Sequence, residues 1–160
     1  MQKATQLLSI SILISIVIII VTFDEWSNFH KKQITQGDVA GVIDSNTLKV
    51  IVAGKYEIIR LAYIHCPEED QADEAAAVAA LRNAVEDKSV RLNIVDIDED
   101  EKKIAEVYAN DININLHLIR TGMCYADRKN VEGKGEYLEV EDLAQKEGLG
   151  VHRSPEITPG

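Results

Sequence analysis

The chain has 160 residues, of which 46% are hydrophobic and 28% are charged. This composition excludes a disordered protein, and the length allows one compact domain with an appendage. With 17 basic and 27 acidic residues the formal net charge is −10, which excludes a general electrostatic attraction to the phosphate backbone of nucleic acids. Any contact with nucleic acid would therefore be local.

The N-terminal segment at residues 7–23, LLSISILISIVIIIVTF, contains no charged residue and follows Lys3. At about 1.5 Å per residue it lies near the short limit for crossing a hydrocarbon core of roughly 30 Å, which leaves two interpretations, a cleaved signal peptide and a retained anchor. No A-x-A-like cleavage site follows, so we favour a membrane anchor over residues 1–23. Asp24 and Glu25 beyond the segment and Lys3 before it predict that the rest of the chain lies outside the cytosol, on the periplasmic or extracellular side.

The next part of the chain changes from a polar tether to strand-like sequence. Residues 24–36 are the predicted tether, and from Gly37 onward the stretches DVAGVI, LKVIV and YEIIRLAYI are separated by turn-forming residues at 44–46 and 53–55. Three consecutive strands joined by tight turns predict an antiparallel meander.

The remainder of the chain contains both helix-forming and strand-forming stretches. In order, they are an alanine-rich helix over 71–85, a fourth strand SVRLNIV, a fifth strand KIAEVY, a short helix over 115–121 ended by Gly122, and a last helix over 137–147 ended by Gly148. Five short strands with one helix inserted and two helices afterwards are typical of a small barrel. We therefore predict a mainly β, α+β fold: a five-stranded OB-like β-barrel with about three helices, preceded by an N-terminal hydrophobic helix.

Several motifs follow one another along these elements: IDSNT at the first turn, IIRLAYIHCPEE from the third strand onward, KIAEVYANDININLHLIRTG, and GLGVH near the end. In this order and spacing the sequence resembles the staphylococcal nuclease, or thermonuclease, family over residues 37–155, with 156–160 as a tail. That family shares an Asp-Gly-Asp-Thr turn, an Arg-Leu strand running into Asp-x-Pro-Glu, and an Asn-x-x-Leu-x-x-x-Gly helix on the same barrel. The resemblance implies hydrolysis of DNA or RNA phosphodiester bonds as the family's activity.

Such hydrolysis needs cations to stabilise the charge of the transition state, a carboxylate to handle the attacking water, and arginines to bind phosphoryl oxygens. By the resemblance, Arg60 matches the arginine that contacts the phosphate, and Glu68 matches the catalytic glutamate. Lys102 falls where the family has a second arginine, so the positive charge is kept while the planar, two-pronged donor is lost.

The positions that hold the family's Ca²⁺ are changed. The resemblance places Asp44 at a position neighbouring the metal, and puts Asn46 and His65 where two aspartates ligate it directly. Because Ca²⁺ affinity depends on the number of charged oxygen ligands, two neutral replacements are expected to abolish useful Ca²⁺ binding. We therefore expect no resident cofactor; an active enzyme would need a divalent cation, Ca²⁺ by family type, or Mn²⁺ or Zn²⁺, which suit the imidazole of His65. The alternative for His65 is a solvated loop histidine.

Other residues near this site leave alternatives open. Arg60 is either a phosphate ligand or a barrel arginine paired with Glu68 or a strand neighbour. The resemblance places Cys66 and Cys124, the chain's two cysteines, near the edge of the site. Export would put them where a disulfide persists, so a bridge between them is one hypothesis and two buried free thiols are the other.

These features predict a membrane-targeted thermonuclease-like domain whose metal-dependent phosphodiesterase activity is lost or strongly impaired, and which acts as a binding or structural module. The alternative is an active nuclease with altered metal preference, with Glu68 as base and Arg60 and Lys102 on the phosphate. A third hypothesis is a scaffold that binds another protein through the barrel groove, which suits the net charge of −10 better than nucleic acid does.

Overall fold

The computed structural model of the protein describes residues 33–153. The predicted hydrophobic helix at 7–23, the tether up to residue 32 and the tail at 156–160 lie outside the described residues. Within 33–153, no helix is long and apolar enough to cross a membrane.

The described chain is a mixture of short strands and helices. The strands are β1 (Gln33–Asp44), β2 (Thr47–Val52), β3 (Lys55–Leu61), β4 (Ile64–His65), β5 (Ser89–Ile97), β6 (Lys103–Ala109), β7 (Ile112–Asn113) and β8 (Tyr125–Ala126). The helices are α1 (Glu74–Val85), α2 (Ile114–Arg120) and α3 (Gly135–Lys146), followed by one 3₁₀ turn (Gly150–His152).

The first three strands form the predicted antiparallel meander, β1 with β2 and β2 with β3. The turn between β2 and β3 places Ala53 at φ 48° and Gly54 at φ 79°, the left-handed conformation that two-residue hairpin loops favour. One boundary is corrected, because β1 begins at Gln33 and its first residues, which the sequence assigned to the tether, pair with β5. Backbone pairing makes this polar stretch a strand although it has only one apolar side chain, Ile34.

The barrel closes between β3 and β6. β1 pairs with β5 and β5 with β6, both antiparallel, and β3 meets β6 through three parallel residue pairs, with Arg60 opposite Ile104 at the centre. This arrangement confirms the five-stranded barrel of β1, β2, β3, β5 and β6. The closing contact, which we call the seam, therefore carries Arg60.

The three helices confirm the predicted ones with shifted ends. α1 begins at Glu74 instead of residue 71, since Asp70 and Asp73 adopt φ of 67° and 70° and interrupt helical geometry. The helices cover one side of the barrel core, contributing fully buried side chains such as Leu81 from α1 and Leu118 from α2.

Asn115 of α2 joins the ends of the two seam strands. Its side chain is fully buried, and its Nδ2 donates to the carbonyl oxygens of Ala62 at 2.8 Å and Ala105 at 3.1 Å, while its Oδ1 accepts from Val107 N at 3.0 Å. Both polar groups of the Asn115 side chain thus bond to backbone atoms, and they add to the direct hydrogen bond from Ala62 N to Ala105 O at 2.8 Å. This contact fixes the chain just after Arg60.

The C-terminal segment packs against the turn after α2 by backbone contact. Val151 N donates to Gly122 O at 2.8 Å, and a Cβ added at Gly122, where φ is +71°, would lie 2.3 Å from the carbonyl oxygen of Leu149. Gly122 is therefore required both for its backbone conformation and for the close approach.

Candidate functional site

Two adjacent cavities flank Arg60. The larger has a volume of about 650 Å³ and is lined by Ile43, Asp44, Ser45, Asn46, Arg60, Ile64, His65, Glu68, Glu69, Glu74 and Asp127. The smaller, of about 400 Å³, is lined by Arg60, Leu61, Ala62, Tyr63, Ile64, Val95, Asp96, Ile104, Asp127 and Asn130. Arg60, Ile64 and Asp127 line both. Volumes of this size are typical of small-molecule sites.

The turn between β1 and β2 supplies one wall of the larger cavity. Asp44 Oδ1 accepts a hydrogen bond from Asn46 N at 2.9 Å, which is the local bond by which an aspartate shapes a tight turn. Asn46 Oδ1 in turn accepts from Thr47 Oγ1 at 3.0 Å. One carboxylate oxygen of Asp44 and the side-chain oxygen of Asn46 are thus engaged in holding the turn.

Arg60 projects from β3 and is 44% exposed. Its partner is neither Glu68 nor a strand neighbour, because its guanidinium Nη1 lies 3.6 Å from Asp98 Oδ2. Asp98 is itself held in the β5–β6 loop, where its Oδ1 accepts from Asp100 N at 3.0 Å and from Lys102 N at 2.9 Å. Arg60 is therefore accessible to a ligand, but any anion that binds it competes with Asp98.

Lys102 does not join the other predicted site residues. Its Nζ lies 3.1 Å from Asp100 Oδ2, and it is absent from the residues that line the two cavities. The structure thus brings five of the predicted site residues together in the larger cavity: Asp44, Asn46, Arg60, His65 and Glu68. Lys102, the second cation expected at the phosphate, lies outside it.

The loop that carries Glu68 is fixed at several points. Ser45 Oγ donates to Pro67 O at 2.7 Å, and Gln71 Oε1 accepts from Glu68 N at 3.1 Å. Cys66 is joined to Cys124 by a disulfide, and it is buried while the preceding His65 is exposed. The side chain of Glu68 is exposed at the mouth of the cavity.

The oxygens around the turn do not suit Ca²⁺. This ion takes six to eight oxygen ligands, and carboxylates supply much of its binding energy. Neither Asn46 nor His65 supplies a carboxylate, and the Asn46 side-chain oxygen already accepts a hydrogen bond from Thr47 Oγ1. Within 33–153, no three His, Cys, Asp or Glu side chains converge closely enough to hold a metal.

The structure adds acidic residues that the motifs did not identify. Glu69, Glu74 and Asp127 line the larger cavity, and Asp127 lines the smaller one with Asp96. The carboxylate of Asp127 accepts from Lys129 N at 3.1 Å and from an amide side chain in the same loop at 2.6 Å. A sequence offers no signal for Asp127, since the antiparallel β4–β8 pairing that brings this loop to the cavity spans two residues in each strand.

A buried polar cluster lies behind the smaller cavity. Glu106 of β6 is 1% exposed and accepts hydrogen bonds from Lys134 Nζ at 2.8 Å, from the Tyr137 hydroxyl at 3.1 Å and from the Asn93 amide. Burial by itself would raise the pKa of Glu106, but the Lys134 ammonium and the other two donors together outweigh it and hold the pKa below its usual value. The Lys134 ammonium also lies 5.1 Å from the centre of the Tyr63 ring, which lines the cavity. The cluster thus supports the cavity wall with an ionised carboxylate.

A closed five-stranded barrel with three helices, and a cavity lined by both Arg60 and the loop residue Glu68, are typical of a thermonuclease-like domain. Comparison with known proteins gives the same class. The family model described as staphylococcal nuclease homologue matches residues 58–154, which is more than half of the chain. The chain belongs to the staphylococcal nuclease family.

Three relatives show how far the similarity extends. An uncharacterized endonuclease of Haemophilus influenzae is 33% identical over 114 residues, covering 71% of this chain and 64% of that protein. A micrococcal nuclease of Shigella flexneri is 27% identical over 151 residues, covering 87% and 82%. An uncharacterized endonuclease of Escherichia coli O157:H7 is 28% identical over 121 residues, covering 74% and 79%. The chain thus spans somewhat less than two thirds of the Haemophilus protein.

Proposed function

We propose that this nuclease-family domain is membrane-targeted, binds phosphate esters at Arg60, and has lost most of the metal-dependent phosphodiesterase activity of its family. One observation carries the proposal: the accessible guanidinium of Arg60 lines a cavity of ligand size, in which neither Asn46 nor His65 supplies a carboxylate. A phosphate can be held there without a metal. Without the metal, the negative charge that accumulates in the transition state of hydrolysis is stabilised far less than in an enzyme that binds Ca²⁺.

The size of the expected loss follows from the missing groups. Removing one preorganised donor to a transition state costs about 10² to 10³ in rate. Here two changes act together, because the oxygens near the turn do not suit Ca²⁺ and because Lys102 pairs with Asp100 away from the cavity. We infer that hydrolysis by the Ca²⁺ route is slowed by about 10⁴ or more, and that binding is the main property of the cavity.

Membrane targeting is proposed from the sequence at 7–23, whose uncharged apolar length suits a retained anchor. The basic residue before it and the acidic pair after it support a periplasmic or extracellular position of the barrel. Extraction of the full chain from membranes at alkaline pH tests anchoring, and digestion by protease added to spheroplasts, which have no outer membrane barrier, tests the side. Release at alkaline pH, or protection of the barrel in sealed spheroplasts, would contradict this part of the proposal.

A second candidate, an active nuclease with altered metal preference, is favoured by one observation. Glu69, Glu74 and Asp127 add carboxylates to the cavity that holds His65 and Glu68. A mixed set of carboxylates and one imidazole suits Mn²⁺ or Zn²⁺ better than Ca²⁺, although within 33–153 these side chains would have to move closer together to hold such an ion. In that case Glu68 would act as the base for the attacking water.

A cleavage assay decides between the two. The full chain in a non-ionic detergent is incubated with single-stranded DNA and RNA in the presence of Ca²⁺, Mn²⁺, Zn²⁺ or a chelator, beside Glu68→Ala. We expect no cleavage above the Glu68→Ala control, and recovery with Ca²⁺ in the double variant Asn46→Asp/His65→Asp. Metal-dependent cleavage by the natural chain that disappears in Glu68→Ala would establish the second candidate instead.

A further inference from the structure

The carboxylates around Arg60 weaken the binding of a simple phosphate or a polyanion relative to a ligand that also carries a positive charge. Among the described residues that line the smaller cavity, the charged side chains are Arg60, Asp96 and Asp127. The larger cavity adds Asp44, Glu68, Glu69 and Glu74 to Arg60 and Asp127. In each cavity the carboxylates outnumber the guanidinium, so a ligand that is wholly anionic meets net repulsion around its binding group.

We propose that the cavities beside Arg60 recognise a zwitterionic phosphate ester, in which an anionic phosphate and a primary ammonium are joined by a short aliphatic linker. Phosphoethanolamine is the simplest such compound. The inference rests on the proposed function, because Arg60 is the phosphate ligand in both. It adds that Asp127 determines specificity by binding the ammonium.

Asp127 is suited to this role by its position and its bonding. It is the carboxylate that lines both cavities together with Arg60, so it faces a group bound on either side of the guanidinium. Its backbone N–H donates to Tyr63 O at 2.9 Å. This bond fixes the loop that carries Asp127 against the turn between β3 and β4, three residues after Arg60. The bonds from Lys129 N and the Asn130 amide orient the carboxylate, and two carboxylate oxygens have acceptor capacity beyond these two bonds.

The walls between the two charges suit a short aliphatic linker. Ile64 and Ile104 line the smaller cavity, and Val95 beside them is 38% exposed on β5. Methylene groups placed there would cover apolar surface that is otherwise in water. A ligand with a phosphate at Arg60 and an ammonium at Asp127 therefore meets an opposite charge at each end and apolar side chains in the same cavity.

Such chemistry has two sources, a soluble ester and the headgroup of a bilayer lipid. Both present a phosphate and a primary ammonium on the same short linker, the soluble compound as a phosphomonoester and the lipid as a phosphodiester. The anchor proposed at 7–23 would make lipid headgroups available to the domain, but the cavity geometry itself does not depend on the source.

The test measures binding to the full chain in a non-ionic detergent by ³¹P NMR titration. The probes are phosphoethanolamine and ethyl phosphate, which differ by the amine, together with ethanolamine, which lacks the phosphate and is followed by ¹H NMR. We expect phosphoethanolamine to bind about two- to fivefold more tightly than ethyl phosphate, the range for one partly exposed ion pair. Ethanolamine alone should bind far more weakly than either ester.

Variants assign the two roles. Arg60→Met should abolish binding of both esters, whereas Asp127→Asn should remove the preference for phosphoethanolamine and leave ethyl phosphate bound at least as well. Asp142→Asn, an exposed carboxylate change on α3, is the matched control and should keep the preference. Near-UV circular dichroism of each variant checks that the fold is retained.

The outcomes separate this inference from the proposed function. If neither ester binds, the proposed phosphate binding fails, and this inference fails with it. If both esters bind equally, or if Asp127→Asn keeps the preference, the zwitterion inference is overturned while phosphate binding stands. A further titration with soluble phosphoethanolamine uses the protein in nanodiscs made either of phosphatidylethanolamine or of phosphatidylglycerol. Weaker binding in the phosphatidylethanolamine nanodiscs identifies the lipid headgroup as the ligand, because the headgroup competes with the probe. Equal binding in both identifies a soluble ester, and both results retain the chemical class.

Discussion

Replacing Lys134 with methionine tests the buried cluster around Glu106 most directly. The variant removes the ammonium that lies 2.8 Å from Glu106 Oε1, while the hydroxyl of Tyr137 and the amide of Asn93 remain. Breaking a buried ion pair by removing one partner costs about 3 to 5 kcal/mol. Because two donors stay and the Lys134 side chain is 26% exposed, we expect the lower end, a loss of about 3 kcal/mol in the free energy of unfolding.

The pH dependence has a defined sign. In the natural protein the pKa of Glu106 is held below its usual value, so its stabilising contribution is present above the unfolded pKa of about 4.3 and is lost as pH falls through the folded pKa. Without the ammonium, burial dominates and raises the pKa of Glu106, so the variant regains stability as the pH falls and the carboxylate is protonated. The difference between the two proteins is therefore largest near pH 7 and shrinks toward pH 4.

Urea unfolding followed by near-UV circular dichroism measures these free energies at several pH values. Lys129→Met, which removes an exposed lysine in the same region, is the control and should cost almost nothing. The double variant Lys134→Met/Glu106→Gln should recover most of the loss at pH 7, since it removes the buried carboxylate charge whose ammonium partner has been deleted. An equal loss at pH 4 and pH 7, or a double variant no more stable than Lys134→Met, would refute the reasoning.

Three further changes test other contacts. Gly122→Ala is expected to cost about 3 kcal/mol because its Cβ would meet a carbonyl oxygen at 2.3 Å, whereas Gly133→Ala, with φ +74° and open space around it, should cost only about 1 kcal/mol; equal losses in urea unfolding would contradict this. Reduction of the disulfide between Cys66 and Cys124, which are 58 residues apart in sequence, should lower the free energy of unfolding by about 4 kcal/mol. An unchanged urea midpoint in the presence of reductant, or two reactive thiols in the denatured unreduced chain, would argue against the bridge. Asp98→Asn should raise the affinity of Arg60 for inorganic phosphate about two- to fivefold at low salt, with less gain at high salt; a ³¹P NMR titration with no gain at low salt would contradict the competition between Asp98 and the anion.

The barrel was predictable because each of its strands is specified by the residues of that strand and of the turns beside it. Runs such as LKVIV and KIAEVY carry the strand signal, and the turn residues between them fix where each strand stops. The beginning of β1 was missed because Gln33 and its neighbours look like a linker until β5 lies beside them. The two-residue strands β4 and β8 are too short to leave any periodic pattern.

The site was predictable only where a motif placed a residue in the cavity wall. Arg60 and Glu68 lie where the motif implied, but the Asp98 partner of Arg60 is brought there by the β5–β6 loop, which no local pattern specifies. Glu106 left one signal, a single carboxylate between apolar residues of the strand KIAEVY, although its partner Lys134 lies 28 residues further on. Long-range charge pairs of this kind depend on the packed fold.

The seam between β3 and β6 has a consequence for how the protein folds. Its three parallel pairs join segments more than forty residues apart in sequence, so the entropy of closing that long loop must be overcome before the pairs can form. The meander and the β5–β6 hairpin, whose contacts are local, are expected to form earlier. Since Arg60 is the central residue of the seam, a chain that has collapsed but not yet closed its barrel has strands and helices but does not hold Arg60 opposite Ile104. Completion of folding and assembly of the two cavities beside Arg60 are then the same event.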